Sequence, residues 1–143
     1  MEYSDENRGR VQFRRRARQI ISFEGMQYGS GSPTDIDALI EWKGRAYILM
    51  EFKLRGAEVP KGQKLALVRM IDDLTRAGKL ATLLICEHEV DDPEQDVIAR
   101  EARVRQVYFS GVWYPEAGKT YRKKTVGEAV ERFIEYADGQ KNF

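Results

Sequence analysis

The stretch from Asp35 to Lys53 tightly constrains the backbone that can carry it. Residues 35–42 (Asp-Ile-Asp-Ala-Leu-Ile-Glu-Trp) and 45–53 (Arg-Ala-Tyr-Ile-Leu-Met-Glu-Phe-Lys) both read as strands, and Lys43-Gly44 between them is a turn signal. Side chains alternate faces along a strand. One face of the first strand carries Ile36, Ala38, Ile40 and Trp42, and one face of the second carries Ala46, Ile48, Met50 and Phe52. Hairpin register follows from making the apolar faces coincide, so even positions must pair with even positions. A two-residue turn at Lys43-Gly44 would break that match. The pattern therefore predicts an odd-length loop, with Gly44 in a left-handed bulge position. The opposite face then gathers Asp35, Asp37 and Glu41 from one strand and Glu51 and Lys53 from the other.

Acid, acid and lysine on one face form a chemical set. Magnesium takes oxygen ligands in octahedral geometry and keeps several waters. Two carboxylates leave room on such an ion for water and for phosphate oxygens. A bound metal lowers the pKa of its water and neutralises charge on a phosphate. A lysine two residues beyond a ligand shares its face and can orient the attacking water or stabilise developing charge. The plainer reading is an exposed sheet face laced with surface ion pairs, and the hairpin alone does not separate the two.

The rest of the chain predicts a mixed α/β fold. Residues 1–7 are polar and expected to fray. Residues 10–23 favour a helix, with Phe13, Ala17, Ile20 and Ile21 on one stripe and Glu24 next in the series. Gly25 to Ser32 reads as a glycine-rich loop with room for a short strand at Met26–Tyr28. Residues 63–77 read as a helix with a core stripe of Leu67, Met70, Ile71 and Leu74, stopped by Gly78. Residues 80–87 read as a buried strand, reached by a crossover that makes it parallel to the Glu51 strand. Val107–Phe109, Ser110-Gly111 and Val112–Tyr114 spell a second hairpin, and Val126 to Ala137 an amphipathic helix. The first hairpin is expected at the centre of the sheet. The whole chain, 1–143, is expected to form a single domain.

Pro33-Thr34-Asp35-Ile36-Asp37, followed by Glu51-Phe52-Lys53, resembles the core of the PD-(D/E)XK nuclease superfamily. That superfamily includes restriction endonucleases, Holliday junction resolvases and small phage-encoded nucleases. Asp37 matches the first acid of the motif, and Glu51 and Lys53 match its Glu-x-Lys pair. The proline stands four residues before Asp37 rather than beside it, which keeps Asp35 as a competing metal ligand. The resemblance runs from about Arg14 to Trp113 and includes the Gly62-Gln63 pair. It implies a restriction-endonuclease-like α-β-β-β-α-β core and metal-dependent hydrolysis of DNA phosphodiesters. It implies Mg2+ or Mn2+ held by Asp37, Glu51 and the Phe52 carbonyl, with Asp35 and Glu24 as alternates. Glu6 competes with Glu24 if the first helix starts earlier. Gln63, on the inward stripe of its helix, would support the site; the competing reading is a glutamine that bonds local backbone. The resemblance further implies a homodimer as a possible assembly, in a bacterial or phage-infected cytoplasm.

Charge is nearly balanced, 24 basic residues against 23 acidic, which argues against a histone-like coat of positive charge. Distribution matters more than the sum. Arg8, Arg10, Arg14, Arg15, Arg16 and Arg18 crowd the first predicted helix, where Arg14, Arg15 and Arg18 share a flank suited to tracking phosphates. Lys119, Arg122, Lys123 and Lys124 form a second basic cluster. One histidine, His88, argues against histidine-based metal or triad chemistry, and one cysteine, Cys86, cannot form an internal disulfide. Both are expected to be structural. No apolar run is long enough to span a bilayer. The glycines at 29 and 31 lack the following lysine and helix of a phosphate loop. Tyr108, Phe109, Trp113 and Tyr114 could stack on bases, though such a hairpin more often covers a sheet edge. Two other readings compete with a nuclease: a catalytically inactive module that binds DNA ends or junctions, and an interaction protein that uses the basic helix to hold a partner.

Overall fold

A computed structural model describes residues 19–116 and 124–139. By its packing the chain falls into two units, 1–33 and 34–143. In the first unit, residues 19–23 are not helical, and Ile20 and Ile21 are exposed. The predicted helix over 10–23 therefore does not reach Phe23; its residues 10–18, with Arg14, Arg15 and Arg18, lie outside the described residues. The chain turns at Phe23–Met26 with Gly25 at φ 82°, a conformation that stops a helix. The short strand expected at Met26–Tyr28 is only a bridge, in which Tyr28 and Gly31 exchange backbone hydrogen bonds of 2.7 and 2.9 Å.

The second unit is built on one five-stranded mixed sheet. Among the described residues its elements are β1 (Ala38–Trp42), β2 (Ala46–Leu54), α1 (Lys61–Arg76), β3 (Leu80–His88), β4 (Arg103–Phe109), β5 (Val112–Tyr114) and α2 (Val126–Ala137), with a 3₁₀ turn at Ala99–Glu101. The spatial order is β1-β2-β3-β4-β5. β2 and β3 are parallel, as the crossover requires, and all other neighbours are antiparallel. The first hairpin was expected at the centre, but β1 is an edge strand and β3 holds the middle. The run Leu80–Cys86 explains this, since a strand apolar on both faces needs a neighbour and a cover on every side.

The two faces of the sheet carry separate cores. The even residues of β2 (Ala46, Ile48, Met50), with Leu84, Cys86 and Val104, pack beneath α2 through Val126, Ala129 and Phe133. The odd face packs Leu49, Leu83, Ile85 and Tyr108 against Leu67 and Ile71 of α1. Met70, expected in that stripe, is 42% exposed, and Val68 packs in the cluster instead. Leu67 and Ile71 centre the buried arc of the helix, and at 100° per residue Val68 falls on one flank and Met70 on the other rim. Three aromatics of the second hairpin pack within the unit, and the fourth, Tyr114, is 48% exposed. Tyr108 is buried and lies 5.0 Å from Trp113, while Phe109 meets Phe133 and Tyr136 edge-on. No helix among the described residues is long and apolar enough to cross a membrane.

Candidate metal and phosphate site

The first hairpin has the predicted odd loop. Trp42 pairs with Ala46, Ile40 with Ile48 and Ala38 with Met50, leaving Lys43, Gly44 and Arg45 between the strands. Lys43 and Gly44 are both left-handed, at φ 52° and 65°, and the Arg45 amide closes the turn on the Trp42 carbonyl at 2.9 Å. Arg45 is thus an extra residue beyond a tight turn, and it preserves the even-with-even register. One step further along that register, Asp37 stands across from Glu51.

The structure joins these two acids to the end of β2. Asp37 lies just before β1, where the ladder has run out. Its Oδ2 accepts the Phe52 amide at 2.8 Å, taking the place of a missing strand carbonyl. Glu51 is 2% exposed, a rare position for a carboxylate. Its Oε1 lies 3.3 Å from the Lys53 ammonium. No described residue donates to its Oε2, which is also buried. Burial raises the Glu51 pKa above its ordinary 4.5, the charge of Asp37 raises it further, and Lys53 opposes the rise. Two carboxyls so placed relieve each other by sharing a proton or a cation.

Gln63 sits in the first turn of α1, half-buried, and its Nε2 donates to the Asp35 carbonyl at 3.2 Å. It thereby ties the segment ahead of Asp37 to the helix. Asp35 enters the site through its backbone, and its side chain is exposed. Glu24 stands in the turn of the N-terminal unit, not on a helix. Among the described residues no three Asp, Glu, His or Cys side chains form a cluster that could hold a metal by themselves. The oxygens that could serve a cation here are the Asp37 and Glu51 carboxylates, with the Phe52 carbonyl in the strand that carries Glu51.

A residue the sequence did not single out is Arg105. The pairing of β3 with β4 slips between Ile85 and Cys86, and Arg105 falls in that slip. Its Nε donates to Glu87 at 3.2 Å and its Nη1 to the Ala57 carbonyl at 2.7 Å. Glu87 pairs with Lys53 across the parallel strands, so this bridge braces the strand end that carries the lysine. A bulge has no signature in hydrophobic alternation, so only the structure exposes it. His88 accepts the Val90 amide through Nδ1, and the buried Cys86 thiol is pushed up to about 12 by desolvation.

Compared with protein-family models, curated proteins and solved structures, the chain matches none of them.

Proposed function

We propose that this chain is a metal-dependent deoxyribonuclease of the PD-(D/E)XK type, with a restriction-endonuclease-like core. The observation that supports it is Glu51: a buried carboxylate with one oxygen on Lys53, the other without a donor among the described residues, and a second carboxylate alongside. A carboxylate whose only work was stability would have its acceptors satisfied or would be exposed. The residues fit a hard divalent cation, because the donors are oxygens and one of them, Glu51 Oε2, is buried with no hydrogen-bond partner among the described residues.

Asp37 and Glu51 would hold Mg2+ or Mn2+, with the Phe52 carbonyl as a third protein ligand. When bound, such an ion supplies an acidified water and charge neutralisation at a phosphate. Glu51, engaged through the oxygen that has no donor, keeps Oε1 for Lys53. Lys53 thereby points its ammonium along the face where the phosphate would lie, and there it opposes the negative charge that grows as the bond breaks. Gln63 holds the Asp35 backbone, which limits the freedom of the Asp37 side chain two residues on. Arg14, Arg15 and Arg18 supply the phosphate-tracking surface in this reading.

The test is a panel of labelled duplex, single-stranded, flapped and junction DNA, incubated with Mg2+, Mn2+ or chelator. Wild type should cleave at least one substrate only with metal, and Glu51→Gln should not. Binding without cleavage in every arm would replace this reading with the inactive DNA-end or junction module.

A further inference from the structure

The tip of the first hairpin is held far more tightly than an exposed turn needs to be. Asp138 caps the C-terminal end of α2, and its Oδ1 receives three groups from the turn: Trp42 Nε1 at 2.9 Å, Arg45 Nη2 at 3.0 Å and Lys43 Nζ at 3.6 Å. From the other side, Lys79 Nζ donates to the Gly44 carbonyl at 2.6 Å and the Leu80 amide to the Arg45 carbonyl at 2.9 Å. The Gly44 amide donates to the Glu41 carboxylate.

An acid at a helix C-terminus faces the negative end of the helix dipole, and the last turn of α2 contains no basic residue to offset it. Placed there, Asp138 breaks a local rule. The Trp42 indole and the two cations of the turn lower its pKa and resolve the conflict.

This grip bears on the register, which the packing of Ala38, Ile40 and Trp42 on the core favours. Lys43-Gly44 in consecutive left-handed conformations is the geometry of a two-residue hairpin turn, and that turn alone would pair Trp42 with Arg45. Such a pairing would move Asp37 to the face opposite Glu51. The observed register needs Arg45 kept out of the β1 ladder. Its side chain is held by Asp138 and its carbonyl by the start of β3.

We infer that Asp138 is a positioning residue for the site at the other end of the hairpin. By holding Arg45 as the extra residue of the turn, it fixes the register that sets the Asp37 carboxylate beside Glu51 and on the Phe52 amide. In its metal consequence the inference rests on the function proposed above, but its structural consequence does not. Both are measurable.

The experiment is amide hydrogen exchange followed by NMR on wild type, Asp138→Ala, Arg45→Ala and Thr125→Ala. Thr125 is the cap at the opposite end of the same helix, where its hydroxyl accepts the Glu128 amide. Its loss destabilises α2 without touching the turn. Asp138→Ala and Arg45→Ala should speed exchange at the Phe52 amide about tenfold or more relative to Leu83 and Ile85 of β3; a local opening of that size matches about 1.4 kcal/mol. Thr125→Ala should not. Uniform acceleration across the sheet, or the same pattern in Thr125→Ala, would reduce Asp138 to a general stabiliser and overturn the inference. Arg45→Ala carries the test if Asp138→Ala does not fold. Manganese titration of the same proteins provides the second arm, with several-fold weaker binding expected in Asp138→Ala and unchanged binding in Thr125→Ala. If wild type binds no manganese while Phe52 behaves as stated, the nuclease reading fails and the positioning role stands.

Discussion

The two hairpins of this sheet turn through the same pair of left-handed conformations, Lys43-Gly44 at φ 52° and 65° and Ser110-Gly111 at 50° and 81°. Yet they seat their strands one residue apart. In the second, Phe109 pairs with Val112 directly across the turn. In the first, Arg45 is left over and Trp42 pairs with Ala46. The difference follows from which faces have to meet. Val107, Phe109, Val112 and Tyr114 fall on one face, with Tyr108 and Trp113 on the other, when the loop has two residues. Ala38, Ile40 and Trp42 meet Ala46, Ile48 and Met50 only when it has three. Turn chemistry proposes a register, and side-chain burial decides whether to accept it or to bulge. The second hairpin packs a sheet edge. The first, through one extra residue, brings two carboxylates onto the same face.

The sharpest way to break this comparison is to make the first loop like the second. Deleting Arg45 should force a choice between an unmade turn and a flipped β1. Burying the wrong face would forfeit most of the burial of Ala38, Ile40 and Trp42, on the order of 3–6 kcal/mol, and urea titration would measure it. Inserting one glycine after Gly111 should cost far less, because β5 is a three-residue edge strand. Equal losses in the two variants would mean that loop parity does not hold the first hairpin.

Next in size is the chemistry proposed for the first hairpin. Lys53→Ala should leave the fold intact and lower the cleavage rate by roughly 10²–10³, the usual cost of losing one group that stabilises developing charge. Trp113→Ala in the second hairpin should cost stability and leave the rate per folded molecule unchanged. Single-turnover cleavage at matched folded concentration separates them, and an undiminished Lys53→Ala rate would remove the lysine from the mechanism.

A smaller effect is expected from metal alone. Manganese at a hundred times its dissociation constant should stabilise wild type by about 2.7 kcal/mol, a rise in Tm of roughly 8–10 °C for a chain of this size. Asp37→Asn keeps an acceptor for the Phe52 amide and removes the charge, so it should lose that rise. A rise as large in the variant would move the ligand role to Asp35.

The last prediction concerns Glu51 without metal. Its pKa is raised in the folded state, mainly by burial and then by Asp37. The folded protein therefore holds its proton more tightly than the unfolded chain does. This contribution to stability is complete below pH 4.5 and is lost as pH rises through the folded value. Denaturation at stepped pH in chelator should show the fall in wild type and a flatter curve in Glu51→Gln. Added metal, which favours the ionised form, should oppose the fall. A wild-type curve as flat as that of the variant would contradict the burial argument.

Much of this was legible in the sequence because period-two patterning is unambiguous when both strands of a hairpin carry it. The odd loop and the shared face of Asp37, Glu51 and Lys53 follow from it and from turn residues, the parallel β3 from the helical crossover, and the span of α2 from its amphipathic stripe. Three things were not legible. Which strand is central depends on crossover geometry, which local pattern does not contain. Which flank of α1 is buried depends on what covers the sheet, so Met70 and Val68 could not be told apart. Residues 19–23, expected to be helical, are not, because a left-handed Gly25 and the turn around it compete with a stripe that stays apolar through Ile21. At the site, Asp138 and Arg105 escaped notice because they act across 93 and 18 residues of sequence, respectively.

Parallel pairing of β2 with β3 also gives the site a history. A hairpin closes in about 1–10 μs from contacts near in sequence, whereas a parallel pair waits for its crossover to close. Asp37 and Glu51 can therefore meet while both are still hydrated, before β3 arrives beside Glu51. The desolvation of that carboxylate falls on the late part of assembly. Folding of this chain should then quicken as Glu51 takes up a proton, so that the timing of the last step, and not only the depth of the native well, carries the imprint of a buried acid.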